Sequence, residues 1–364
     1  MMKLEVNGKQ FENFISAECE IRLDALAGTF RFSAVNPNGV EMPFKGGEEC
    51  RVIVDGEAVL TGDIEVVEVD YDGENHDIVI QGRSRSARLL DSSIGILDDI
   101  FTDNLTLKSL IEKVADNIGL EISVTDNAKP APFNPAEDLA APEPGDNAFS
   151  LIEKFVRKRN VLLHPSADGG ITIATNSQTV AAGRIQHIIG ANDNNVMNSR
   201  FRYDSTGRFN VYEMASQLNP IPLVVTGGSD LASLVDQRGG VFDDSIKPGR
   251  RMVIVAEAPY SDEECEARAK WELDVRKARG LVYSCTVPYF RVGGTSGDLW
   301  RINRIYQIVD DFVGKIEPML CNSVRYQYDD ETGSTTQLSF VGRNAYTNNP
   351  VDIEAGEVAS NVVA

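Results

Sequence analysis

The sequence predicts an α+β protein, mainly β, with a small β-barrel-like domain at each end and α/β domains between them. Three observations carry this. Apolar residues alternate with period two near both ends of the chain, they recur with a helical period only in the middle, and Asp-Gly or Gly-Gly turns separate the alternating runs. At 364 residues the chain exceeds the ~250 at which a single core stops growing, so two to four domains are expected. Hydrophobic residues make up 42%, enough to fill cores of that size, and Pro and Gly are too few to suggest long disorder.

Residues 1–95 read as short strands in hairpins. In Glu18-Cys19-Glu20-Ile21-Arg22-Leu23 the apolar residues fall on odd positions, and Asp77-Ile78-Val79-Ile80-Gln81 is a further short strand. Between it and Ile64–Val69, the Asp72-Gly73-Glu74-Asn75 stretch suits a hairpin turn that needs positive φ. Several such hairpins in under a hundred residues suggest a small barrel or sandwich.

Residues 96–180 form an α/β insert. Leu107, Leu110, Ile111, Val114 and Ile118 line one face of a helix with Thr106 as N-cap and Gly119 as its stop, followed by a strand from Leu120 to Val124. Five prolines in 126–145 predict an extended surface loop. A second helix starts at the cap Asp146, buries Phe149, Ile152, Phe155 and Val156, and carries Lys154, Arg157, Lys158 and Arg159 toward its C-terminus, where the helix dipole favours them. The hairpin Val161–His164 and Ile171–Ala174 turns through Asp168-Gly169-Gly170.

Residues 181–280 are a second α/β unit, whose strands are candidates to join the C-terminal barrel. Strands are expected at Arg208–Gln217 and Arg251–Ala256. A long helix follows the capping box Ser261-Asp262-Glu263-Glu264 and runs through Trp271, Leu273 and Val275 to a Gly280 stop. Residues 281–346 return to hairpins: Leu281, Tyr283, Cys285, Val287 and Tyr289 share one strand face, Val324, Tyr326 and Tyr328 another. Glycine- and aspartate-rich turns at 293–297 and 329–333 separate them, Trp300 falls in a strand, and residues 347–364 read as a loose tail.

Charge and motifs narrow the chemistry. Thirty-five basic against 55 acidic residues give a formal charge of −20, which repels phosphate backbones and anionic membrane surfaces. The charge reads first as a solubilising surface and second as an anionic passage through which nucleic acid slides. No N-terminal apolar run reads as a signal peptide and no stretch reaches the ~18 apolar residues of a membrane helix, so a cytoplasmic start and no membrane insertion are expected. Cys19, Cys50, Cys265, Cys285 and Cys321 form no CxxC pair and read as buried thiols.

No catalytic, cofactor-binding or metal-ligating residue is assigned, and no cofactor is expected. His76, His164 and His187 have no partner at metal spacing. Ser84 or Ser86 with His76 lacks the Gly-x-Ser-x-Gly context of a hydrolase. The pairs Asp98-Asp99, Asp243-Asp244 and Asp310-Asp311 read as solvated faces and turns, with an acid/base pair for glycan cleavage as the alternative. Gly227-Gly228-Ser229 and Arg238-Gly239-Gly240 lack the Lys of a phosphate loop and read as loops. Arg83-Ser84-Arg85-Ser86-Ala87-Arg88, the one basic cluster, is expected in water, with an acidic neighbouring subunit as the second reading. Trp271 on a helix's buried face and Trp300 in a strand leave no sugar-binding platform for a receptor-module reading.

Several stretches also resemble a known family, the baseplate hub proteins of Mu-like phages, related to the tail hubs of other contractile phages and to the type VI secretion spike hub. The resemblance lies in Val6-Asn7-Gly8-Lys9, Phe14, Leu23–Phe32, Val59–Ile64, Ile80–Ser84 and Leu89–Ser93. It continues in Ile118-Gly119-Leu120, Asn147–Ile152 and Asp168-Gly169-Gly170, and at the C-terminus in Gly297–Asn303, Val309-Asp310-Asp311, Tyr328–Gly333 and Thr336-Gln337-Leu338. It implies a structural, non-enzymatic subunit in the virion tail baseplate, assembled in the bacterial host cytoplasm. It further implies a homotrimer whose paired barrels imitate a sixfold ring joining tail tube to membrane-piercing spike. Its partners would be the spike, the tube and other baseplate proteins, and DNA or tape-measure protein would pass its channel without specific binding. A tail-associated cell-wall hydrolase using scattered carboxylates is the alternative.

Overall fold

A computed structural model describes residues 1–35, 44–72, 76–95, 105–133, 147–216, 237–256 and 260–347. The N-terminal part holds seven strands: β1 (Met2–Val6), β2 (Lys9–Phe11), β3 (Ser16–Arg22), β4 (Thr29–Val35), β5 (Glu49–Val54), β6 (Glu57–Tyr71) and β7 (His76–Ser84). In β1 the period-two pattern is literal: Met2, Leu4 and Val6 are buried and their neighbours are not. Gly73-Glu74-Asn75 of the expected turn lie outside the described residues.

A helical turn, α1 (Arg88–Asp91), leads to α2 (Leu107–Asn117), β8 (Val124–Asp126), α3 (Ala148–Lys158), β9 (Leu162–Pro165) and β10 (Ile171–Ala174). Thr106 caps α2 by accepting the Ser109 amide, and Gly119 ends it at φ +69°. The buried faces of α2 and α3 share a core with the three strands, ordered β8-β10-β9. Two expectations shift here. The strand placed at Leu120–Val124 begins only at Val124, because it pairs in parallel with β10 from Ile171 onward. The cap of α3 is Asn147, whose side chain accepts the Ser150 amide; Asp146 and most of the proline-rich loop lie outside the described residues.

The chain continues through β11 (Val180–His187), β12 (Asn198–Tyr203), β13 (Val211–Ser216), β14 (Gln237–Phe242), β15 (Arg251–Val255) and α4 (Asp262–Arg279). The capping box at Ser261 and Glu264 is formed in both directions. Helix α4 packs on the sheet β14-β13-β15 around Tyr212, Met214, Cys265 and Ala269. Arg238-Gly239-Gly240, read as a loop, lies in β14. A Cβ on Gly239 would sit 2.2 Å from the Glu266 amide, so the glycine serves close helix–strand approach.

Four strands complete the fold: β16 (Leu281–Pro288), β17 (Ile305–Asp310), β18 (Lys315–Asp329) and β19 (Gly333–Gly342). Tyr283, Cys285 and Val287 point inward as expected, but Tyr289 has left the strand at φ +64° and is exposed. Trp300 lies outside the named strands and is buried.

The two β-rich ends are one sheet. Thirteen strands run in the order β12-β16-β19-β18-β3-β4-β7-β6-β5-β1-β2, with β11 and β17 branching beside β18. A barrel-like domain is expected at each end; no closed barrel is found among the described residues. The long strand β18 joins the ends: its first half pairs with β17, and its second half runs on to pair with β3. One apolar core, including Phe30, Phe32, Tyr283, Tyr326 and Phe340, lies beneath both ends.

Candidate assembly interface

The join between the two ends is an antiparallel ladder running from Ser323 opposite Arg22 to Asp329 opposite Ser16. On its outer face Arg325 reaches Glu20 at 2.6 Å and Glu18 at 3.9 Å, and Ser323 Oγ donates to Glu20 at 3.0 Å. On its inner face Tyr326 and Cys19 lie opposite each other, both buried, and the Tyr326 hydroxyl donates to the Trp300 carbonyl. Beside the ladder a polar groove is lined by Arg22, Asp24, Arg279 and Tyr346, with Asp24 accepting from Arg22 at 3.0 Å and facing Arg279 at 3.5 Å.

The strands on either side repeat one plan. Both β6 and β18 are fifteen residues long, and each changes register once against its hairpin partner, at Ile64/Val66 against β7 and at Cys321/Ser323 against β19. The first half of each takes a second partner, β5 or β17, which stops at Asp63 or Leu320, one residue before the irregularity. Likewise β3 lies outside β4 as β12 lies outside β16. The plan breaks at one point: β18 uses its second half to bind β3, whereas Glu65–Tyr71 of β6 pairs with β7 alone and β12 with β16 alone among the described strands.

Residues singled out from the sequence go mostly to internal structure. The basic cluster stands neither free in water nor ready for a neighbour: Arg83 bridges Glu65 and Asp91, Arg85 meets Glu49 and Arg88 meets Asp63. Those bonds hold Arg83, first through Glu65, firmly in its charged form. Ser84 and Ser86 bond each other at 2.8 Å, and Ser86 donates to the Leu26 carbonyl. Asp243 forms a buried pair with Arg208 at 2.7 Å, while Asp98-Asp99 and Gly227-Gly228-Ser229 lie outside the described residues, as does the His76 side chain. His164 Nδ1 lies 3.0 Å from the Pro165 carbonyl oxygen, and burial pushes its pKa down.

Asp310 is the group whose part the sequence did not reveal. Fully buried, it accepts from the Tyr283 hydroxyl at 2.8 Å, the Ser199 hydroxyl at 3.3 Å and the Phe312 amide at 3.0 Å, and it lies 3.3 Å from His187 Nδ1. It thereby ties β11, β12, β16 and β17 together. Ser199 bonds the carboxylate and not the imidazole, so the three do not form a nucleophile–base relay. All five cysteines are buried and unpaired, and burial raises the Cys50 thiol to about 12 and that of Cys265 to about 11, which keeps them as thiols.

Residues 1–84 match the family described as Mu phage baseplate assembly protein GpP-like, N-terminal, and residues 261–349 match Mu phage baseplate assembly protein GpP, fourth domain. Both ends of the chain thus match domains of Mu phage baseplate assembly proteins. These two stretches contain the strands that meet at the β3–β18 join. Among similar proteins, the baseplate hub protein gp44 of Escherichia phage Mu is 21% identical over 353 residues, covering 94% of this chain and 88% of gp44. The 43 kDa tail protein of prophage MuSo2 from Shewanella oneidensis is 25% identical, with a TM-score of 0.79 over 95% of this chain and 99% of its own. The fold extends further. The E. coli c3393 protein is described as a type VI secretion component structurally similar to the T4 tail proteins gp27 and gp5. It has a TM-score of 0.58 at 10% identity, over 96% of this chain and 79% of its own.

Proposed function

We propose that this hub protein is a structural, non-enzymatic subunit that assembles as a homotrimeric ring in the virion baseplate, after synthesis in the host cytoplasm. The ring adapts a sixfold tail tube to a threefold spike, and DNA or tape-measure protein passes through its centre, past a lumen richer in acidic than in basic side chains. Residues 1–95 and 281–346 form its two equivalent units, residues 96–180 and 181–280 stand as accessory α/β domains, and 347–364 is a tail. No side chain serves as a catalytic, cofactor or metal group.

One observation carries this reading. The two ends repeat a single strand plan and are joined edge to edge, so one chain offers two near-equivalent units and three chains offer six. The cell-wall hydrolase alternative loses one member of each described pair, since Asp243 and Asp310 are both engaged inside the fold.

Native mass spectrometry of the full chain, alone and with the candidate spike protein, tests it. Three copies are expected in both samples, and a strict monomer at ~10 μM in both would overturn the ring.

A further inference from the structure

Among the described strands the repeated plan has one seam filled and one open, and the open seam carries the filled one's chemistry with the charges exchanged. Matching the two ladders at their irregularities sets Cys321 against Ile64, so Arg325 corresponds to Glu68, Tyr326 to Val69 and Gln327 to Asp70. Following the same rows outward, Phe340 corresponds to Gly82 and Tyr283 to Phe30. In the outermost strands Phe201 then takes the place of Cys19, Arg202 that of Glu20 and Arg200 that of Glu18. In the filled seam Arg325 stands opposite Glu20, Tyr326 opposite Cys19 and Gln327 opposite Glu18.

We infer that Glu65–Tyr71 of β6 in one copy pairs antiparallel with β12 of the next copy, placing Glu68 opposite Arg202, Val69 opposite Phe201 and Asp70 opposite Arg200. The inference rests on the trimeric reading and specifies its contact. It is a head-to-tail contact between two different edges, the kind that closes a ring.

Three features support a second copy as the occupant. The first is charge: an acidic edge and a basic edge occur at matched positions of one plan, and the filled seam shows that this position makes a salt bridge, at 2.6 Å between Arg325 and Glu20. Arg202 meets Asp204 within its own chain, and in the proposed register Asp204 lies two rows beyond, opposite Val66. The second is exposure. Tyr326, covered by β3, is 2% exposed, whereas its counterpart Val69 is 47% exposed; Val324 is buried and its counterpart Val67 only partly so. The third is topology. Along the sheet, β12 and β6 are separated by β16, β19, β18, β3, β4 and β7, and within one chain the two edges are not paired with each other.

The test uses the full-length chain and two kinds of variant. Glu68→Lys with Asp70→Lys sets like charges across the seam and should weaken the trimer by roughly a hundredfold in sedimentation equilibrium. Adding Arg200→Glu and Arg202→Glu to the same chain should restore it. Independently, Val69→Cys with Phe201→Cys should give covalent dimers and trimers on oxidation, since the native cysteines are all buried. A wild-type trimer that survives the charge reversal unchanged and gives no cross-link overturns this pairing and leaves the ring standing. A wild-type chain that is monomeric with and without the spike overturns both.

Discussion

At the scale of single residues, Asp310 shows how a buried charge is kept. Burial alone pushes a carboxyl pKa up, but the Tyr283 hydroxyl, His187 and the Val313 amide outweigh that and hold Asp310 below the ordinary carboxylate range. A folded-state pKa below the unfolded value adds stability that is complete above the unfolded value, about 3.9, and is lost as pH falls through the folded one. Asp310→Asn should therefore lower stability at neutral pH by about 2–3 kcal/mol, the scale of hydrogen bonds to a charged acceptor. The gap between variant and wild type should narrow below about pH 4. Urea melts at pH 7 and pH 3.5 check this, and a gap that stays constant with pH would remove Asp310 from the account. The sequence offered Asp310 only as one of many acidic pairs, because Tyr283 lies 27 residues away on another strand and His187 and Ser199 more than a hundred.

At the scale of elements, the register change in β6 depends on close backbone approach. A Cβ on Gly82 would lie 2.0 Å from the Asp63 carbonyl oxygen and 2.5 Å from the Phe30 ring, at the row where β6 leaves β5 and continues with β7 alone. Gly82→Ala should cost about 1–3 kcal/mol by overpacking. The urea midpoint reads this directly, and a wild-type midpoint would show that the irregularity tolerates a side chain. Helices were the most legible elements. The caps at Thr106 and Ser261 and most of the faces of α2 and α3 are set by residues three or four apart and are present as read; Ile118 and Phe149 are only partly buried, and Leu151 takes a core position in α3. The strands were legible as strands: β9, β10, β13, β15 and β16 fall close to their expected places. Their partners were not, since Tyr326 and Cys19 are 307 positions apart and period two says only which face is inward. For the same reason the ends were read as separate barrels, and the continuous sheet emerged only from the pairing.

At the scale of the whole molecule, the filled β3–β18 seam makes the N- and C-terminal strands one mechanical unit, over a core drawn from both. Under the proposed pairing, each copy contributes eight consecutive strands from β12 to β6, and three copies close a circle about 115 Å around at ~4.8 Å per strand. Such a circle is about 37 Å across between backbones before strand tilt widens it, which leaves a passage after side chains are added. Under the proposed function a cargo passing through must not adhere, and a formal charge of −20 favours that where the cargo is a polyphosphate. Basic residues on the described surface are largely matched by acids, as with Arg83, Arg88, Arg291 and Arg325. The assembled hub should therefore show no saturable binding to a fluorescein-labelled DNA duplex at ~10 μM protein and ~50 mM salt, where basic proteins bind non-specifically at micromolar concentrations. Fluorescence anisotropy measures this. Micromolar binding that weakens steeply with added salt would mean that several unpaired Lys or Arg side chains face the cargo, and the acidic lumen would have to be abandoned.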